Sequence, residues 1–142
     1  MHSKYEQANE LTKEVIDAAC EVREHFNIGL LESIYQKCLA HELKLRGHTV
    51  KTEAPAVIRY KDFAYEENLR VDLIVDDCLV VECKALDEEK VNMPRHKAQA
   101  LSYMKLLDIP IGLVINFCDY RLPRSGIARV ILKDADKLDA DF

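Results

Sequence analysis

The stretch of sequence that decides the fold is Val71-Asp72-Leu73-Ile74-Val75-Asp76-Asp77-Cys78-Leu79-Val80-Val81-Glu82-Cys83-Lys84. Two runs rich in Val, Ile and Leu flank Asp76-Asp77, and this pattern predicts two strands joined by a turn. Side chains alternate along a strand, so Glu82 and Lys84 share one face. Asp72 lies near the far end of the hairpin and can point to the same side. The stretch therefore predicts two carboxylates and one ammonium group gathered at a strand end.

Charged residues inside such apolar strands need a physical reason. Burying an unpaired carboxylate or ammonium group costs several kcal/mol, so these side chains are usually paired, metal-bound or functional. Mg²⁺ and Mn²⁺ prefer oxygen ligands, and Mg²⁺ is commonly held by one or two protein carboxylates. Such an ion can polarise a phosphodiester, and a neighbouring lysine can stabilise the charge that builds on phosphorus. The structural alternative is an ion pair in an ordinary sheet, and the hairpin alone does not choose between them.

The spacing of Asp72, Glu82 and Lys84 on consecutive strands resembles the motif of the PD-(D/E)xK nuclease superfamily. Three further segments strengthen this resemblance. They are residues 29–35 (GLLESIY), similar to the GxxExxY signature of one branch; residues 96–103 (HKAQALSY), similar to a glutamine-bearing helix after the catalytic strands; and residues 111–117 (IGLVINF), similar to the strand that closes the core. Val71 stands where the nominal motif has proline, but that proline is often absent in the superfamily.

The resemblance implies an α/β fold with a mixed central β-sheet flanked by α-helices. It implies a nuclease that cuts phosphodiester bonds, with DNA favoured over RNA as the substrate. Asp72 and Glu82 would hold Mg²⁺ or Mn²⁺. Lys84 is then the electrostatic catalyst, Glu32 an accessory acid that also reaches the metal, and Gln99 an orienting residue. Glu32 has a structural alternative, because a carboxylate in the first turn of a helix complements the helix dipole. The alternative for Gln99 is a surface amide of its helix.

A second class of function is a binding or regulatory module that keeps the nuclease fold without catalysis. Such a module has no chemical need for Asp72, Glu82 and Lys84 together, which favours the enzyme. The small size and the lack of an attached recognition domain favour dependence on a partner, either a second copy of the chain or another protein.

Hydrophobic periodicity predicts the order helix-helix, three strands, helix, two strands. The second helix is expected to stop at Gly47, and Pro94 fits the first turn of the third helix. Pro55 interrupts a strand-like segment at residues 49–60, which predicts an edge position or a bend. Lys61-Asp62 predicts the next turn. The last two strands are expected at residues 111–117 and 127–132.

Length and composition agree with a single nuclease-like domain over residues 1–142. A chain of 142 residues buries roughly 68 to 70% of its unfolded surface, which is enough for one core. Its longest uncharged run, residues 109–118, is ten residues long, far below the roughly 20 that span a membrane. The N-terminus has no signal-peptide pattern. We therefore expect a cytoplasmic protein without a membrane segment.

The charge distribution is mixed. The net charge of -5 argues against a general nucleic-acid binder, which is usually basic. Residues 90–107, however, contain four basic and no acidic residues. This segment includes the Gln99 helix, so it either flanks the expected site or forms a solvated helix face.

Overall fold

The helices and strands follow the predicted order in a computed structural model of the protein, which describes residues 1–138. The elements are α1 (Tyr5–Phe26), α2 (Glu32–Leu45), β1 (Val50–Tyr60), β2 (Phe63–Val75), β3 (Leu79–Lys84), α3 (Met93–Leu107), β4 (Ile111–Asn116), α4 (Leu122–Ser125) and β5 (Ile127–Ile131). Periodicity does not predict α4 or a 3₁₀ turn at Glu88–Lys90, because segments this short show no repeat. Within residues 1–138, no helix is both long enough and apolar enough to cross a membrane.

The five strands form one mixed sheet in the order β1-β2-β3-β4-β5. The β3–β4 pair is parallel, and the other three pairs are antiparallel. β1 therefore lies at one edge, where the missing N–H of Pro55 interrupts no ladder to a further strand. The edge position predicted from Pro55 is confirmed.

Helices cover both faces of this sheet. On one face α1 and α2 pack against the strands in a cluster that includes Val15, Leu39 and Val81. On the other face α3 packs through Met104 against Val80, and this cluster extends to Ile74, Ile109 and Val130. Burying each such aliphatic side chain contributes about 1.5 to 3 kcal/mol. The predicted α/β fold, a mixed sheet flanked by helices, is confirmed.

The β2–β3 turn lies where its sequence predicts it. Asp76 and Asp77 have positive φ angles of 50° and 55°, which Asp tolerates better than most residues, and Val75 pairs with Leu79 across the three-residue loop that the two aspartates form with Cys78. The Asp76 carboxylate accepts a hydrogen bond from the Thr49 N–H at 2.9 Å and lies 2.6 Å from Nδ1 of His48. His48 Nε2 lies 2.9 Å from the Glu14 carboxylate, without hydrogen-bond alignment. The turn is thus tied to the start of β1 and to α1.

β1 and β2 leave the sheet as a two-stranded extension. Lys51 pairs with Ile74 but Glu53 pairs with Arg70, so Thr52 alone stands opposite residues 71–73. Val71 belongs to the α3-side cluster and Leu73 to the opposite one, so the strand changes faces at this irregularity. β2 pairs with β3 only from Leu73 onward. Residues 53–70, called the arm below, therefore project beyond β3.

Candidate active site

Asp72 lies where the ladder between β2 and β3 ends. The last pair is Leu73 with Val81, and the Cys83 N–H beyond it donates to Oδ2 of Asp72 at 2.8 Å. The Asp72 side chain therefore takes the place of a backbone acceptor at the strand end. Its backbone carbonyl accepts a hydrogen bond from Nε2 of Gln36 on α2 at 3.1 Å. The Cys83 contact orients the carboxylate, and the Gln36 contact ties the backbone of Asp72 to α2.

Glu82 is a buried carboxyl group facing Asp72. It is 3% exposed, and its Oε1 is buried without a hydrogen-bond partner in the described structure. Burial above all, and then the charge and contact of Asp72, raise the pKa of Glu82 to about 8, although the Lys84 charge acts to lower it. Two carboxyl groups in this setting cannot both ionise without a cation to offset their repulsion. The unpartnered oxygen thus has the environment of a cation ligand.

Lys84 ends β3 next to these carboxyl groups. Its Nζ donates to Oε1 of Gln99 on α3 at 3.5 Å, which is a long contact. The pKa values of Glu82 and Glu32 are both raised, and the positive charge of Lys84 opposes the rise in each, so one ammonium group acts on both acids. Cys83 lies between Glu82 and Lys84 in sequence, is fully buried, and packs in the cluster under α1 and α2. The predicted alternation of these three side chains is confirmed.

Glu32 reaches the same end of the sheet from the first residue of α2. The pKa of its carboxyl group is raised, mainly by burial; the charge of Lys84 lowers it and the charge of Asp72 raises it. Glu32 therefore interacts electrostatically with both Lys84 and Asp72. Within residues 1–138, no three Asp, Glu, His or Cys side chains are arranged to hold a metal ion among them. Any ion here needs backbone, water or substrate oxygens as further ligands, as is usual for Mg²⁺. Direct coordination by Glu32 stays a prediction.

The segment before and within α2 explains how Glu32 is placed. Gly29 has a φ of +102°, a conformation that side chains rarely adopt. The Tyr35 hydroxyl donates to the Asn27 carbonyl at 2.6 Å and accepts from the Leu30 N–H at 3.2 Å. The Tyr35 ring is fully buried and stacks on Phe117 at 4.8 Å. Tyr35 therefore fixes the loop from which the helix carrying Glu32 begins.

Two polar residues near the site are not identified from the sequence. Gln36 lines a polar pocket of about 440 Å³ together with Asp72 and with Thr52, Glu53 and Arg70 at the base of the arm. A glutamine on a helix surface carries no sequence signal for such a position.

Asn116 is the second of these residues. It is 3% exposed, and its amide accepts from the Leu86 N–H at 2.9 Å and donates to the Leu86 carbonyl at 3.0 Å. It thereby holds the chain two residues after Lys84. An asparagine at the end of a long apolar run is the signal by which this residue can be found.

The sequence of the chain matches a family model over most of its length. A family model described as the PD-(D/E)XK nuclease superfamily matches residues 9–130. No curated protein matches the chain at a significant level. Among solved structures, the crystal structure of SSO0001 is similar with a TM-score of 0.46 and 13% identity, over 86% of this chain and 78% of that chain. A TM-score and an identity this low establish neither a shared fold nor a shared function, whereas the family match spans residues 9–130.

Proposed function

The chain belongs to the PD-(D/E)XK nuclease superfamily, and on that premise we propose that it is a divalent-metal-dependent nuclease that hydrolyses phosphodiester bonds in DNA. The observation that supports this best is the buried Oε1 of Glu82, which has no hydrogen-bond partner among residues 1–138 although Asp72 and Lys84 are its neighbours. A structural ion pair would satisfy that oxygen with the lysine. In the described structure Lys84 instead directs its ammonium group to Gln99.

The site residues divide the chemistry among them. Asp72 and Glu82 would hold Mg²⁺ or Mn²⁺, with Glu32 as an accessory acid, because clustered carboxylate oxygens are the ligands these ions prefer. A bound ion supplies Lewis-acid polarisation of the phosphodiester and lowers the pKa of an attacking water. Lys84 stabilises the negative charge that builds on the phosphoryl oxygens in the transition state. Gln99 would orient the Lys84 ammonium group through the 3.5 Å contact between them.

The assignment to the GxxExxY branch is part of this proposal. Gly29, Glu32 and Tyr35 each have a distinct structural reason for their spacing, namely the turn, the site and the buried hydroxyl. We further propose that the chain acts as a single domain, because one sheet carries the site residues or contacts the helices that carry them. A cytoplasmic location is part of the same proposal.

The test is incubation of the full chain with labelled single-stranded, duplex and branched DNA and with RNA, in Mg²⁺ or Mn²⁺ and in EDTA. We expect metal-dependent cleavage of DNA. Lys84→Ala should lower the rate by about 10² to 10³, the usual cost of removing one group that stabilises transition-state charge. Lys44→Ala is the matched control, because Lys44 is an exposed lysine near the far end of α2.

A different result would favour the partner-dependent module. If the wild-type chain cuts none of these substrates and Lys84→Ala is destabilised by roughly 3 to 5 kcal/mol, Lys84 is a structural counter-ion whose loss strands a buried carboxylate. The chain would then keep the nuclease fold without the reaction.

A further inference from the structure

The polar pocket beside Asp72 contains one basic side chain, Arg70, in addition to its carboxylates. The pocket has a volume of about 440 Å³, and its lining residues are Gln36, Thr52, Glu53, Arg70, Val71 and Asp72. A cavity of this size can hold a small ligand or one unit of a larger one. Because one wall belongs to Asp72, whatever occupies the pocket lies next to the proposed metal site.

Arg70 lies one short step along the strand from Asp72. The two residues are two positions apart on β2, and both line the pocket. Two residues of an extended strand span about 7 Å, which is comparable with one nucleotide step of a nucleic-acid backbone. A DNA strand with one phosphate at Asp72 can therefore reach Arg70 with the next.

The Arg70 guanidinium group is not committed to another part of the protein. Glu53 lies directly opposite Arg70 in the β1–β2 register, yet neither side chain forms an ion pair or a hydrogen bond among residues 1–138. By contrast, three carboxylates hold the guanidinium group of Arg46. Five N–H donors in a rigid fork match the oxygens of a phosphate. Arg70 is therefore free to bind a phosphate from solution.

Two neutral side chains add donors to the same pocket. Nε2 of Gln36 donates one hydrogen to the Asp72 carbonyl, and an amide nitrogen carries a second hydrogen that a ligand can accept. Thr52 stands alone opposite residues 71–73, and its hydroxyl has no hydrogen-bond partner in the described part of the chain. The donors in the pocket thus suit the oxygens of a phosphate group.

We propose that Arg70 binds the backbone phosphate next to the scissile one, which makes the pocket a phosphate subsite for the DNA strand being cut. This inference rests on the proposed nuclease function. Asp72 and Glu82 would hold the scissile phosphate through their ion, and Arg70 would hold its neighbour. Phosphate contacts fix the register of a protein on a nucleic acid. Glu53 repels the bound phosphate and so limits the affinity of the subsite.

The test is fluorescence anisotropy of labelled single-stranded and duplex DNA with the full chain at several salt concentrations. Ca²⁺ replaces Mg²⁺ in this assay, because its looser coordination suits binding better than catalysis. Arg70→Ala should weaken binding about 10-fold or more, the usual cost of a lost hydrogen bond to a charged group. It should also lower the slope of log K against log salt concentration by about 1, because one phosphate contact is lost.

Two further substitutions and a kinetic measurement define the role of Arg70. Arg70→Lys should keep the salt slope but lose part of the affinity, because lysine has the charge without the fork. Arg59→Ala is the matched control, since Arg59 is an exposed arginine of the arm about 20 Å further towards its tip. It should leave both quantities unchanged. In Mg²⁺, Arg70→Ala should raise KM more than it lowers kcat, because the phosphate that it contacts does not react.

Glu53→Gln distinguishes a phosphate from a base in the pocket. Removal of the negative charge beside a phosphate should strengthen binding roughly 2- to 5-fold, the range of an exposed charge interaction, and equally for every DNA sequence. A base would instead use the Glu53 carboxylate as an acceptor. Weaker binding by Glu53→Gln that depends on the DNA sequence would overturn the phosphate assignment. Urea denaturation shows that each variant is folded, and Arg70→Gln should repeat the loss seen with Arg70→Ala.

The outcomes separate this inference from the proposed function. Cleavage by the wild type together with normal affinity and salt slope for Arg70→Ala would overturn the subsite alone. Binding that depends on Arg70 without any cleavage would keep the subsite and overturn the nuclease. A wild type that neither binds nor cuts DNA would overturn both.

Discussion

Replacing Glu82 by glutamine should stabilise the metal-free protein at alkaline pH. The pKa of Glu82 is raised from 4.5 to about 8 by burial and by Asp72. A carboxyl group with a raised folded pKa contributes its full stability below 4.5, and that stability is lost as pH rises towards 8. At 1.36 kcal/mol for each pH unit, the interval from 4.5 to about 8 corresponds to a loss on the order of 5 kcal/mol. This value is an upper bound, because a buried carboxyl group relaxes and admits water.

The assay is urea denaturation in EDTA at several pH values across this interval. The wild type should lose stability as the pH rises, whereas Glu82→Gln should lose much less and become the more stable protein at the alkaline end. Glu24→Gln changes an exposed glutamate on α1 and should follow the wild-type profile. The reasoning is refuted if Glu82→Gln has the wild-type slope, or if it is the less stable protein near pH 8.

Divalent ions should stabilise the wild type at the alkaline pH values where the ionised Glu82 destabilises the metal-free protein. Binding to the native state at about 100 times Kd adds about 2.7 kcal/mol of stability, which is roughly 5 to 10 °C in melting temperature for a domain of this size. The wild type should show this shift in Mn²⁺, more strongly at alkaline pH because protons and the ion compete for Glu82. Glu82→Gln should lose most of it. Stabilisation of both proteins to the same extent would place the ion elsewhere.

Three other substitutions test separate parts of the structure. Glu32→Gln should lower metal affinity or cleavage while changing stability by less than about 1 kcal/mol, since a first-turn acid contributes little to its helix; lost stability with normal activity would give Glu32 a structural role only. Tyr35→Phe should cost about 1 to 3 kcal/mol in urea denaturation, because the Asn27 carbonyl and the Leu30 N–H lose their partner, and an unchanged stability would contradict that role. Burial opposes the charged form of His48, but contacts with two carboxylates raise its pKa, so His48→Gln should be least stable relative to wild type below pH 6.5 and approach it above the folded pKa; a stability difference independent of pH would refute this.

The sequence predicts the hairpin and the alternation of its charged residues because both depend on neighbouring positions. Asp76-Asp77 tolerates the positive φ angles of a tight turn, and strand geometry alone separates Cys83 from Glu82 and Lys84. Pro55 predicts an edge because a missing N–H is costly inside a sheet. These features need no knowledge of the rest of the fold.

The remaining features depend on contacts between distant segments. The register shift opposite Thr52 leaves the apolar pattern of β2 unchanged, so nothing local shows that Val71 and Leu73 face opposite clusters. Gln36 is an ordinary helix residue until the shift brings Asp72 beside it. Only the family resemblance places Glu32 at the site, and its approach to Asp72 depends on how α2 packs on the sheet. Local propensity contains none of this information.

One irregularity in β2 accounts for both the site and the arm. Because the strand leaves β3 at Leu73, the Asp72 carboxylate is free to accept the Cys83 N–H and to face Glu82. The same departure lets residues 63–70 continue without a third strand, which produces the arm. β-bulges are common next to active sites, where they redirect a side chain and bend the strand. A change that regularised the register would therefore restore a backbone partner for Cys83, withdraw the Asp72 carboxylate from Glu82, and alter the direction of the arm at the same time.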